Sequence, residues 1–341
     1  MGNYYNSIII CNISLCRYCK NTVMSEKEYR EKEALHFSML SSLDKSPRNV
    51  FEPSEFEAGY GMIFGDLTDK ILTGGDVTKD YYLMNIINLS ASIKSIIELI
   101  YKNNWSLSDM DDVRSAAKEC GYGNSYLDKT LLNKVKIGKA YLDHLFDAGD
   151  KKVIPKEWLV LAEQAADSFK THPFTAEYFN PEGVEVIFQK EIYWIYRAYE
   201  CKALLDMIHV DHANKIVYPF DIKTTGDSVF KFEQSVMKFR YYLQAAWYTL
   251  ALTYEYPEYK IENFKFLVIN NENPSLPLVY KCSDSLLLAG ADGGTYNGRK
   301  IKGYTQLIND YTWHLNSNKY QYSKELYDCN GELELDMLEY E

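Results

Sequence analysis

The spacing of apolar positions changes character along the chain. Up to about residue 180 it favours helices. His36 to Leu43 is Ser/Leu-rich, and Phe64 to Leu72 repeats apolar residues at helical intervals. Ile86 to Tyr101 and Tyr126 to Phe146 carry the same spacing, separated by the turn-forming Gly121-Tyr122-Gly123-Asn124-Ser125. Lys156 to Lys170 predicts one more helix, ending before His172-Pro173. From Val184 the period drops to two, through Val186 and Phe188 to Tyr196, which predicts a strand with Gln189 and Glu191 on one face. Ala203 to Ile208 is an apolar run broken only by Asp206, and Ile216 to Phe220 is a second run, ended by Asp221. Asp211-His212-Ala213-Asn214 between them predicts a turn, with His209-Val210-Asp211-His212 in a solvated hairpin loop. A long helix over Val229 to Tyr254 follows. Phe264, Phe266 and Val268 then mark a strand, Asn271 to Pro274 a loop and Val279 to Cys282 a short strand. A helix from Ser283, interrupted by Gly290 to Gly298, precedes a last helix at Tyr304 to Asn316. The order predicts an α/β fold: a central mixed β-sheet flanked by helices, with a helical insertion at about 81–180.

Composition narrows the class. With 341 residues, 46% hydrophobic and 15% aromatic, the chain can bury a substantial core. A net charge of −11 argues against a generic basic DNA-coating protein, but leaves room for local positive patches. No apolar run reaches the length of a membrane span, and residues 1–23 lack the basic start of a signal peptide. Seven scattered cysteines fit reduced thiols and a cytoplasmic location. Cys11, Cys16 and Cys19 form C-x4-C-x2-C, while Cys282 and Cys329 are isolated. Met24 is the expected natural start, with 1–23 read as an over-extension.

The candidate chemistry lies in the central hairpin. With its turn near His212 and Ala213, Asp206 falls opposite Pro219, Asp221 is a diagonal neighbour on the same face, and Lys223 follows two residues on. Two carboxylates converging in a sheet need neutralising, and Mg²⁺, bound by one or two carboxylates, waters and substrate phosphate, does this. The metal would activate water, with Lys223 beside the attacking water or the phosphate. On spacing alone, the three residues fit a structural ion pair as well as a phosphodiester hydrolysis site. Gln244 and Tyr248, four apart, share a helix face. The histidines form no zinc-type spacing, and the Gly290 to Gly298 segment lacks a P-loop lysine motif.

Cys201 to Asp206, Phe220-Asp221-Ile222-Lys223-Thr224-Thr225 and Tyr241 to Tyr248 together resemble the PD-(D/E)xK nuclease superfamily, and more closely its RecB-like and RecE-like (exonuclease VIII type) phage branch. That branch carries an Asp on one strand, D-x-K-T on the next and Q-x-x-x-Y on the following helix. Residues 36–73 resemble its N-terminal part, with Asp69 in the place of a metal-reaching histidine, a competent hard-cation ligand. The resemblance implies a restriction-endonuclease-like core, in the host cytoplasm if the chain is phage-encoded. It speaks against an iron–sulfur cluster, because relatives that hold one carry a close-spaced cysteine group after the core where this chain has only Cys282 and Cys329. It also implies Mg²⁺ or Mn²⁺ held by Asp206, Asp221, the Ile222 carbonyl, Asp69 and Glu191, with Lys223 acting on the water. Gln244, Tyr248 and Thr224 would contact DNA. By the same resemblance the chain is expected to be a recombination exonuclease on duplex DNA ends, a ring-shaped homo-oligomer working beside a single-strand-annealing protein. A structure-specific or helicase-associated endonuclease and a non-catalytic DNA-binding module are the alternatives. The expected divisions are an extension at 1–35, a nuclease domain at 36–320 and an acidic tail at 321–341.

Overall fold

The computed structural model describes residues 29, 31–53, 58–85, 87–122 and 128–332. The expectations for residues 1–23, Met24, Gly123 to Ser125 and the chain beyond 332 lie outside these.

The first helices are α1 (Phe37–Lys45), α2 (Arg48–Phe51) and α3 (Tyr60–Thr73). A strand, β1 (Tyr81–Met84), then leads into a helical lobe of α4 (Ala91–Lys102), α5 (Met110–Glu119), α6 (Asp128–Ile137) and α7 (Lys139–Ala148). The lobe returns through β2 (Lys152–Pro155), which pairs in parallel with β1. The stretch expected as a helical insertion poor in strand signal therefore contains two short strands. Ser90 starts α4 by accepting a hydrogen bond from the Ile93 N–H. The single helix expected over Tyr126 to Phe146 breaks at Gly138, where a Cβ would stand 1.8 Å from Ile97 Cδ1. The lobe has its own core, with Ile96, Ile97, Ile100 and Val135 fully buried.

The chain continues with α8 (Lys156–Thr171), α9 (Ala176–Phe179) and the long strands β3 (Glu185–Tyr196), β4 (Tyr199–Asp211) and β5 (Ile216–Thr225). The expected helix over Val229 to Tyr254 divides into α10 (Phe232–Lys238) and α11 (Tyr241–Glu255), because Arg240 takes a left-handed φ of 61°. Strands β6 (Lys260–Ile261), β7 (Lys265–Asn270) and β8 (Leu278–Lys281) complete a six-stranded sheet. Its order is β3-β4-β5-β7-β8, with β6 beside β5; β5 and β7 run parallel, and β3, β4 and β8 antiparallel to their neighbours. The described chain ends with α12 (Asp284–Asp292), a hairpin of β9 (Gly294–Tyr296) and β10 (Arg299–Ile301), α13 (Tyr304–Ser317) and α14 (Lys324–Asp328). This is the expected mixed sheet flanked by helices. Residues 324–328 of the stretch expected as a tail form a helix, tied to the body by the Lys302–Glu325 ion pair.

Period-two alternation feeds the two faces of the sheet. Phe266 and Val268 enter the core shared with α1 and α11, while Leu267 and Ile269 enter the core shared with α3 and α8. Leu35, expected in the N-terminal extension, belongs to the first core; its N–H donates to the Glu200 carbonyl (2.8 Å) and its carbonyl accepts from Lys202 N–H (2.8 Å). His209, expected in a solvated loop, is instead buried on β4, with Nε2 2.9 Å from the Tyr178 carbonyl. No helix among the described residues is long and apolar enough to cross a membrane.

Candidate active site

The ladder between β4 and β5 runs from Asp211↔Ile216 to Met207↔Phe220 and stops. Continuing that register one step, Asp206 faces Asp221 where the strands fork. The hairpin therefore lies two residues from the expected register: Pro219 pairs with Ile208, and the turn spans residues 212–215, with Lys215 at a φ of 53°. A shift of two keeps each side chain on its face, so the carboxylates still converge.

The backbone is distorted at the same place. Leu205 and Ile208 enter one core while Met207 enters the other, so the alternation of β4 changes phase around Asp206. Across the ladder from Asp206, Gln189 on β3 takes a left-handed φ of 49°, and the regular pairing skips these two residues. Splitting the strands also deprives the Ile222 N–H of a ladder partner. The Asp206 carboxylate replaces it, accepting that hydrogen bond at 2.9 Å through Oδ2.

Asp221 is 1% exposed. Its Oδ1 accepts from Gln244 Nε2 at 2.8 Å, and its Oδ2 forms an ion pair with Lys223. The Lys223 ammonium also lies 4.9 Å from the centre of the Tyr241 ring. On the opposite wall, Gly61, Gly65 and Asp69 follow one another at four-residue intervals along α3 and line the same cleft of about 1180 Å³. Glu191 and Thr224 line it too; Glu191 Oε2 accepts from the Tyr193 hydroxyl at 3.2 Å.

Burial raises the proton affinity of all three aspartates. Asp221 is pushed up to about 7 by burial first and by the charge of Asp206 second. Asp69 is raised well above the usual range by burial and by Asp206, and Asp206 itself is raised by burial against the pull of Lys223. Burial works against the charge of Lys223, but Asp221, Tyr241 and Asp206 outweigh it and raise its pKa, so the ammonium stays charged. Oxygen-only donors crowded in this way call for a hard cation. Among the described residues no ready-made cluster of three or more His, Cys, Asp or Glu ligands occurs. The set present, a carboxylate pair with room for water and substrate oxygens, fits the Mg²⁺ pattern rather than a closed zinc site.

Tyr248, expected to contact DNA beside Gln244, is buried against Phe37 (6.5 Å) and Phe264 (6.2 Å), behind the fork, where burial first and the charges of Asp221 and Asp206 next raise the pKa of its hydroxyl. Helix α11 is wedged between the sheet and α12, so a residue one turn beyond Gln244 points into core. Gln244 reaches the cleft, where its amide nitrogen donates to Asp221 and its buried oxygen makes no hydrogen bond. Sequence reasoning missed Gln189, Tyr241 and Asn271, which also line the cleft. Gln189 shares a face of the expected strand with Glu191, which was a signal for it; nothing local marked Asn271.

No curated protein matches the chain. A solved structure of a Eubacterium rectale protein, described as a candidate exonuclease, is similar at 11% identity over 93% of this chain and 96% of that one, with a TM-score of 0.48. Residues 119–325, more than half of the chain and including the whole fork, match the family described as a PDDEXK-like domain of unknown function (DUF3799), and the chain belongs to that family.

Proposed function

We propose that this protein is a metal-dependent nuclease that hydrolyses DNA phosphodiester bonds, acting as an exonuclease on duplex ends in recombination. One observation carries the reading: Asp206 and Asp221 meet at a strand fork beside Lys223, at the wall of a cleft open to substrate. Asp206, Asp221, the Ile222 carbonyl and Asp69 would hold Mg²⁺ or Mn²⁺, with Glu191 at the margin. When bound, that ion would supply Lewis-acid activation of water and charge neutralisation at the phosphoryl group. The water oxygen bonds to phosphorus as the bond to the leaving strand breaks, and the leaving oxygen takes a proton. Because the environment of Lys223 keeps it protonated, its role is a fixed positive charge beside the phosphoryl oxygens, where negative charge develops. Gln244 is a positioning residue that holds Asp221, and Thr224, which lines the cleft, would meet the substrate backbone.

A ring of copies, with positive charge confined to its channel, would reconcile DNA binding with the net charge of −11, and a single-strand-annealing protein is the partner such an exonuclease would serve. The test is degradation of linear and closed-circular duplex DNA with Mg²⁺, Mn²⁺ or EDTA, comparing wild type with Lys223→Ala. Metal-dependent loss of linear DNA only, abolished by the substitution, is expected. Cutting of the circle would replace the exonuclease assignment with an endonuclease. Absence of metal-dependent cleavage would overturn the proposal.

A further inference from the structure

Asn271 follows β7 at the carboxyl end of the parallel pair β5–β7, on the cleft wall. Its backbone is fully used: the N–H donates to the Thr225 carbonyl (2.9 Å), and the carbonyl accepts from the Tyr60 hydroxyl (2.8 Å). Its side-chain oxygen is not. The residue is 4% exposed, and Oδ1 is buried with no hydrogen-bond partner. A buried carbonyl left unmatched is costly, so its persistence points to a partner that arrives with a ligand.

The cleft wall beside this amide is glycine on both sides. A Cβ on Gly61 would stand 3.8 Å from Asn271 Nδ2, and one on Gly226 would stand 3.8 Å from Oδ1. Neither glycine takes a left-handed φ, so backbone geometry does not demand glycine at either position. What a side chain there would remove is the space in front of the amide.

We infer that this end of the cleft is a nucleotide subsite, in which Asn271 Oδ1 accepts a hydrogen bond from an N–H or O–H group of the substrate strand next to the scissile phosphate. The inference rests on the nuclease function proposed for the fork. Phosphate oxygens only accept hydrogen bonds, so a carbonyl oxygen cannot hold them. The donors on a DNA strand are the amino and imino groups of the bases and a terminal sugar hydroxyl, and the bare glycines let a flat base or a sugar ring approach the amide.

The test is steady-state cleavage of labelled oligonucleotide duplexes by wild type, Asn271→Leu, Gly61→Ala and Gly226→Ala, with thermal unfolding of each. Asn271→Leu should raise KM about three- to ten-fold, the scale of one hydrogen bond, and leave kcat within about two-fold. Gly226→Ala should raise KM at least as much. The alanine side chains meet only ordinary contacts, and Gly61→Ala favours the helix, so neither glycine variant should melt below wild type. Substrates lacking the terminal hydroxyl, or an exocyclic amino group near the end, identify the donor. The deletion that matters raises KM for wild type and has no further effect on Asn271→Leu. If Asn271→Leu fails to fold, the glycine variants decide. Wild-type KM in the variants, or no effect of either deletion on wild type, overturns the subsite and leaves the nuclease function standing. A wild type that cleaves no nucleic acid overturns both.

Discussion

Asp206→Asn should stabilise the cation-free protein while abolishing its chemistry. The asparagine oxygen can still accept from the Ile222 N–H, so the fork keeps its hydrogen bond. What disappears is one negative charge beside Asp221 and Asp69; Lys223 keeps Asp221 as its partner. The rise of Asp221 from 3.8 to about 7 corresponds to about 4 kcal/mol against its ionised form, with burial the larger cause and Asp206 the second. Removing Asp206's charge should therefore recover roughly 1–2 kcal/mol, a rise of about 1–3 °C in melting temperature for a chain of this size. The sign depends on pH. Between about 4 and 7 the folded protein holds a proton on Asp221 that the unfolded chain has released, so wild-type stability without cation falls as pH rises through that window. The advantage of the variant should be small at pH 5 and full at pH 8. Thermal unfolding in EDTA at the two pH values measures it. Added Mg²⁺ should reverse the order, because only wild type gains binding energy, about 2.7 kcal/mol at a hundred times Kd. A variant less stable than wild type at pH 8 in EDTA, or an advantage equal at both pH values, would refute the electrostatic account of the fork.

Gln244→Leu removes the hydrogen bond to the buried Asp221 carboxylate, an interaction worth about 1.5–3 kcal/mol, and should lower kcat about 10- to 100-fold with little change in KM. Gly290→Ala would place a methyl 2.3 Å from the Tyr242 carbonyl oxygen, forcing α11 and α12 apart; a loss of about 1–3 kcal/mol in urea unfolding is expected. Burial holds the pKa of His209 down at about 4, below its ordinary 6.5, so the folded state excludes a proton that the unfolded chain accepts. Its contribution to stability is therefore lost as pH falls from about 6.5 toward 4, by up to about 3 kcal/mol, and His209→Gln should show a flatter acid limb than wild type in pH-dependent unfolding.

The fork was legible in the sequence because Asp206 and Asp221 each interrupt an apolar run, and a carboxylate in a buried strand is too costly to keep unless something binds or neutralises it. Its register was not, since Asp211 to Asn214 announce a turn without saying that Lys215 supplies the left-handed residue that closes it. The same limit applies to Tyr248: four-residue spacing places it on the Gln244 face, but only tertiary packing shows where that face leaves the cleft and enters the core. The strands β1 and β2 escaped notice because each is four residues long and is stabilised by a partner on the far side of the lobe. Asn271 was invisible for a similar reason. It owes its setting to Tyr60, 211 positions earlier, and to two glycines whose lack of a side chain matters only once the helix and the strands are assembled.

The helical lobe carries a consequence for how such a protein diversifies. Its chain leaves the body through β1 and re-enters through β2, which lie side by side, and its buried apolar residues form a core of their own. An insertion whose ends are already neighbours can lengthen, shrink or be exchanged without re-threading the sheet, at a closure entropy that grows only with the logarithm of its length. The outer contour of the molecule can thus be altered without moving the fork, whose strands lie outside the lobe.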